Sequence, residues 1–123
     1  MVKVVNEGPH PLEWLLFEIH PDMSRDVFTL ITGQKLLSGT VVGVITASGK
    51  ITQHAPGASD GSQNAAGILY GDADATSADK TGVVVVTGNA VAHAARIVWA
   101  NAISGPNKAT AIAALRAKNF FVR

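Results

Sequence analysis

The chain has 123 residues, of which 47% are hydrophobic and 15% charged, with ten Lys and Arg against nine Asp and Glu. That length suits one domain, and the apolar content excludes a disordered chain. A formal charge of +1 with no run of basic residues excludes the clustered positive surface that nucleic acid or an anionic membrane requires, and the absence of cysteine excludes a disulfide framework, a thiolate metal site and a cysteine nucleophile.

Residues 1–23 are expected to form an extended N-terminal arm. Pro9, Pro11 and Pro21 remove backbone donors and disfavour helix in the residues before them. The same segment carries a dense apolar cluster, Trp14, Leu15, Leu16, Phe17 and Ile19, which needs a surface to dock on, either its own domain or a partner. Asn6, Glu7 and Pro9 stand where a secretory leader would have its apolar core, so no such leader is expected. The longest aliphatic run, Val83 to Val86, is far too short to span a bilayer.

Residues 24–123 are expected to form the body, mainly β. Val27 to Ile31 is rich in β-branched and aromatic residues, and Thr32 to Lys35 follows as a turn. Thr40 to Thr46 and Ile51 to His54 are predicted strands, joined by a turn at Ala47-Ser48-Gly49-Lys50. Pro56 to Asn64 reads as a polar loop. Ala66 to Tyr70 and Gly82 to Thr87 are predicted as further strands, and Val91 to Trp99 as another with a weaker pattern. Gly43 and Gly67 fall inside strand-like segments, which marks bulges or places where two backbones come close. One helix is predicted from Asn107 to Lys118, with Ser104-Gly105-Pro106 as its start and Asn119 as a left-handed terminator. Ala111, Ile112 and Leu115 share one face of it and are expected in the core. Phe120 to Val122 resumes an extended apolar segment.

The search for reactive chemistry yields little. The histidines, at positions 10, 20, 54 and 93, lack the i, i+4 pairing of a helical metal site, so no metal and no cofactor are expected. Ser62, beside Asp60, is not framed as a Gly-x-Ser-x-Gly elbow; an Asx turn with Gly61 at positive φ fits Asp60-Gly61-Ser62 better. Asp72, Asp74 and Asp79 lack the spacing and the closing Glu of a calcium loop and read as a solvated connection. Lys50, at a tight turn, fits either a solvated residue or the attachment point of a carrier domain. No catalytic residue is nominated, and the chain is not expected to be an enzyme.

Several pieces in order carry a resemblance. They are Ser24-Arg25-Asp26, Ser38-Gly39-Thr40-Val41-Val42-Gly43, Ala47-Ser48-Gly49-Lys50, Pro56 to Gln63, Ala65-Ala66-Gly67-Ile68-Leu69-Tyr70, Asp74-Ala75-Thr76, and the late Ala111-Ile112-Ala113-Ala114-Leu115 before a terminal Val122-Arg123. Together they make the chain from Trp14 to Arg123 resemble the lambda-type bacteriophage head decoration protein family. Gly88-Asn89 stands where that family more often shows a charged pair.

The resemblance implies a β-clip-like single domain with one short C-terminal helix and an extended N-terminal arm. It implies a homotrimer on the outer capsid surface of the virion, made in the host cytoplasm. It further implies an arm that orders against the major capsid protein and stabilises the expanded head against packaged DNA, with neither nucleic acid nor membrane as a partner. Trp14, Leu16 and Phe17 are the expected capsid-binding residues. Ala65, Ala66 and Gly67 are small enough for close approach between subunits and are the expected trimer contact, unless they pack inside one domain. At the level of fold, the alternatives are a β-clip nucleotide hydrolase, which would need metal-binding acids and a phosphate cradle, and a small-ligand or carrier β domain using Lys50.

Overall fold

A computed structural model describes residues 15–18, 24–100 and 103–123, with the backbone alone for 16–18. Among them the chain is mainly β, with ten short strands and one α-helix. The strands are β1 (Leu15–Glu18), β2 (Arg25–Leu30), β3 (Gln34–Leu36), β4 (Val41–Val44), β5 (Ile51–Gln53), β6 (Gly67–Leu69), β7 (Ala73–Ala75), β8 (Lys80–Val86), β9 (Ala90–Ala92) and β10 (Phe120–Val122). The helix, α1, runs Gly105–Arg116.

Five strands close into a barrel in the order β2-β5-β4-β6-β8. β8 runs antiparallel to both β2 and β6, pairing Val84 with Val27 and Val86 with Ile68, while β2 meets β5 in parallel at Leu30 and Ile51. A second sheet, β1-β9-β10, puts β9 between an antiparallel and a parallel neighbour. β3 and β7 form a separate two-stranded ribbon.

The apolar runs of β4, β6 and β8 have a reason. Successive strand residues point to opposite faces, so a strand with two buried faces has no polar positions in its alternation. Val42, Leu69 and Val85 join Leu30, Ile51 and Val83 in one core, to which every barrel strand contributes. Their chain neighbours Val41, Ile68 and Val86 face the other way, into a second core with Ala90, Ala92, Ala111, Leu115 and Phe120. One barrel wall therefore separates two apolar layers. The second layer holds the helix and the three-stranded sheet against the barrel.

Glycine makes two of these approaches possible. A Cβ on Gly43 would lie 2.6 Å from the Ser62 carbonyl oxygen, and one on Gly67 would lie 2.5 Å from that of Val86. Both positions are close backbone approaches, as their place inside strands suggested.

The helix starts at Ser104, whose Oγ accepts from the Asn107 N–H at 3.3 Å, with Pro106 in the first turn where its missing donor is harmless. It ends before Asn119, which has φ +60°. Leu115 is fully buried and Ala111 nearly so, but Ile112 is only half-buried. The expectation for Ile112 is thus corrected: the buried stripe follows the i, i+4 pair Ala111 and Leu115, and Ile112, one residue round the helix from Ala111, faces its edge.

The other departures are local. The predicted strand from Val91 to Trp99 stops at Ala92, because the His93 ring accepts from the Ala95 N–H and caps a 3-10 turn at Ala94–Arg96. The predicted turn and solvated connection at Gln34-Lys35 and Asp74-Ala75 instead pair as β3 and β7.

Candidate functional site

The 55–64 loop has the clearest local design. The Asp60 carboxylate accepts from the Ser62 N–H at 3.0 Å and from Ser62 Oγ–H at 2.5 Å. Gly61 takes φ +109°, and its N–H donates to Gln63 Oε1 at 2.8 Å. This is the Asx turn expected from the sequence. It commits the Ser62 hydroxyl to Asp60 and buries it at 2% exposure, so Ser62 is not presented as a nucleophile. The Ser62 hydrogen bonds hold the Asp60 carboxyl below its ordinary pKa.

The other polar clusters are likewise absorbed by structure. Asp74 accepts from both the N–H and the hydroxyl of Thr76, and these bonds lower its pKa. Asp72 accepts from the Ser38 N–H at 2.6 Å. Asp79 joins three segments: its carboxylate meets Lys50 Nζ at 2.5 Å and accepts from the Thr32 N–H at 2.8 Å, with Lys50 the larger cause of its lowered pKa. Lys50 is therefore an ion-pair partner at the mouth of the β4–β5 turn. Among the described residues no group of three or more His, Asp or Glu is placed to hold a metal ion. His10 and His20 lie outside the described residues.

An open groove of about 650 Å³ lies between the barrel and the end of α1, lined by Thr46, Gly61, Asn64, Ala66, Ala114 and Lys118 among others. A second depression of about 370 Å³ shares Val44, Ala66 and Lys118 with it. The lining is small and weakly polar, with no convergent set of reactive groups.

The expected binding residues are described only in part. Trp14 lies outside the described residues. Leu16 and Phe17 belong to β1, where Phe17 pairs with Val91 of β9. Ala65 is 3% exposed and sits in the core with Ile68 and Leu115, and Gly67 is buried against β8. Ala66 is half-buried and opens onto both depressions. The structure thus places two of the three small residues inside the subunit and one at its surface.

No curated protein matches the chain. A family model does: bacteriophage lambda head decoration protein D, over residues 4–120. The chain belongs to this family. As a head decoration protein it has a capsid decoration role and a place in the phage capsid. No helix among the described residues of this decoration protein is long and apolar enough to cross a membrane.

Proposed function

We propose that this decoration protein binds the outside of an expanded phage head as a homotrimer, contacts the major capsid protein through its N-terminal arm, and stabilises the shell against packaged DNA. The observation that carries this reading is the family match, which spans the arm and the body alike.

The proposal divides the labour between two parts of the chain. Residues 24–123 are the decoration domain, and residues 1–23 form the arm, with Trp14, Leu16 and Phe17 as its anchors. An extended segment binds well by adding a strand to an exposed sheet edge, where main-chain hydrogen bonds give affinity. β1 shows that this part of the chain takes strand geometry, since it already pairs with β9. A trimer presents three arms to one site. Avidity then exceeds single-arm affinity by roughly 10²–10⁴, and closed cyclic symmetry prevents runaway polymerisation. Within the Ala65-Ala66-Gly67 stretch, Ala66 is the residue open to a neighbouring subunit. The protein is made in the host cytoplasm and needs neither nucleic acid nor membrane as a partner.

Co-sedimentation with purified expanded capsids, followed by mass measurement of the unbound protein, tests the proposal. Replacing the three anchors together, Trp14→Ala, Leu16→Ala and Phe17→Ala, is expected to leave a folded body that no longer sediments with capsids. Equal binding by this folded variant overturns the arm's role, and single-copy density at asymmetric positions on decorated capsids overturns the trimer.

A further inference from the structure

His54 follows β5 directly and is 2% exposed. Its backbone N–H donates to Val41 O at 2.9 Å, and Ala55 N–H donates to Ser62 O at 3.0 Å, so the ring sits where the 55–64 loop folds back over β4. Ring Nε2 lies 3.0 Å from the Gln63 carbonyl oxygen. A carbonyl only accepts, so Nε2 carries the hydrogen and the neutral ring is held in that tautomer. Nδ1 is then a bare lone pair. It is buried and has no hydrogen-bond partner, the one such side-chain atom among the described residues.

This arrangement tolerates a neutral ring and opposes a charged one. Protonation at Nδ1 would create a buried donor and a buried charge together, and neither has an acceptor. The described segments that hold the ring supply no relief. β4 is Val-Val-Gly-Val, β5 is Ile-Thr-Gln, and within residues 55–64 Asp60 is the only ionisable side chain. The Asp60 carboxylate is committed to the Ser62 N–H and hydroxyl. Burial accordingly pulls the His54 pKa below its ordinary value, against a weaker upward pull from the Gln63 carbonyl.

We propose that His54 is an acid-sensitive latch on the 55–64 loop. The latch is closed while the ring is neutral. Below neutrality, uptake of one proton at Nδ1 is favoured in an open form, in which the ring leaves Gln63 and reaches water. The loop's backbone bonds, from Thr46 N–H just after β4 to Asp60 O and from Ala55 N–H to Ser62 O across the loop's base, are released with it. Gly61 and Asn64 form one wall of the groove beside α1, so opening also reshapes that surface.

The sign follows from linkage. The open form binds the extra proton with an ordinary histidine pKa of about 6.5, and the closed form binds it only at lower pH. The closed loop is therefore at full stability above pH 7 and loses it as pH falls through about 6.5. One proton gained on opening raises the opening constant by up to about tenfold per pH unit in that window.

Amide hydrogen exchange on the full chain between pH 7.5 and 5, corrected for intrinsic rates, tests the latch. Protection in residues 55–64 is expected to fall with that slope while β8 amides keep theirs, and the His54 ring is expected to titrate below 6.5 from an Nε2–H tautomer by NMR. Unchanged loop protection, an equal loss across β8, or a ring titrating at its ordinary pKa each overturns the proposal. His54→Gln, neutral throughout, is expected to abolish the slope, and a slope that persists in folded H54Q also overturns it. Should H54Q fail to fold, the wild-type titration decides the matter alone.

Discussion

Gly88 lies against the Lys118 carbonyl oxygen so closely that a Cβ at position 88 would overlap it. The contact joins the β8–β9 turn to the end of α1. Asn89 N–H donates to Lys118 O at 3.3 Å and Ala90 N–H to Asn119 O at 3.2 Å. Asn89 and Asn119 both adopt left-handed backbone here, with φ +53° and +60°. Gly88→Ala must push two backbones apart. It is expected to lower stability by about 1–3 kcal/mol, the usual range for overpacking. Chemical denaturation of the two proteins measures the difference.

Leu115 is fully buried in the layer between barrel and sheet, and Ile112 is half-buried at its edge. Leu115→Ala is expected to cost about 2–5 kcal/mol, the range for a buried leucine truncated to alanine. Ile112→Ala is expected to cost less, about 1 kcal/mol, because part of its side chain already meets water. Equal losses in urea unfolding would put both residues in the core and contradict the observed stripe.

The Asp79 carboxylate ties Thr32 of the β2–β3 turn to Lys50 of the β4–β5 turn, and these bonds hold its pKa below the ordinary value. A carboxylate with a lowered folded-state pKa contributes its stabilisation fully above the unfolded value of about 3.9 and loses it as pH falls through the lower folded value. Melting temperatures measured from pH 5 down to pH 2 are expected to fall less steeply for Asp79→Asn than for the wild type. The Lys50 part of the contrast is expected to shrink in high salt, since the pair is partly exposed.

Ala66 separates the role of fold from the role of assembly. Its N–H donates to Val42 O, so the backbone is fixed, while its side chain opens onto the surface depressions. If the proposed trimer packs through this residue, Ala66→Glu is expected to melt close to the wild type yet give a lower mass by light scattering than the wild type at the same concentration. Equal masses for the two proteins would overturn the proposed contact at Ala66.

Much of this architecture was legible from residue patterns. The continuous apolar runs around Val42, Ile68 and Val85 mark strands buried on both faces, and Asp60-Gly61-Ser62 announces its turn. Asn119 likewise signals the left-handed end of the helix. β3 and β7 escaped because Gln34-Lys35-Leu36 and Ala73-Asp74-Ala75 are too short and too polar to stand out. They form because each supplies the other's hydrogen bonds. Ile112 was misplaced because three-and-four spacing leaves two choices of stripe, which packing against Phe120 and Ile68 decides. Neither the burial of His54 nor the Gly88–Lys118 contact leaves a trace in local sequence, since both arise between segments distant in the chain.

The closed barrel also sets the order of events during synthesis. β2 ends at Leu30, but β8, the strand that seals it on one side, starts only at Lys80. β9 must then wait for Phe120–Val122 before its parallel side is covered, although β1, its other neighbour, is made long before it. Contacts so remote in sequence slow folding, because each closes a long loop before any pairing rewards it. The barrel layer can therefore shut only once Val86 has emerged from the ribosome, and the second layer only once Val122 has, and unpaired strand edges stay open to neighbouring nascent chains until then.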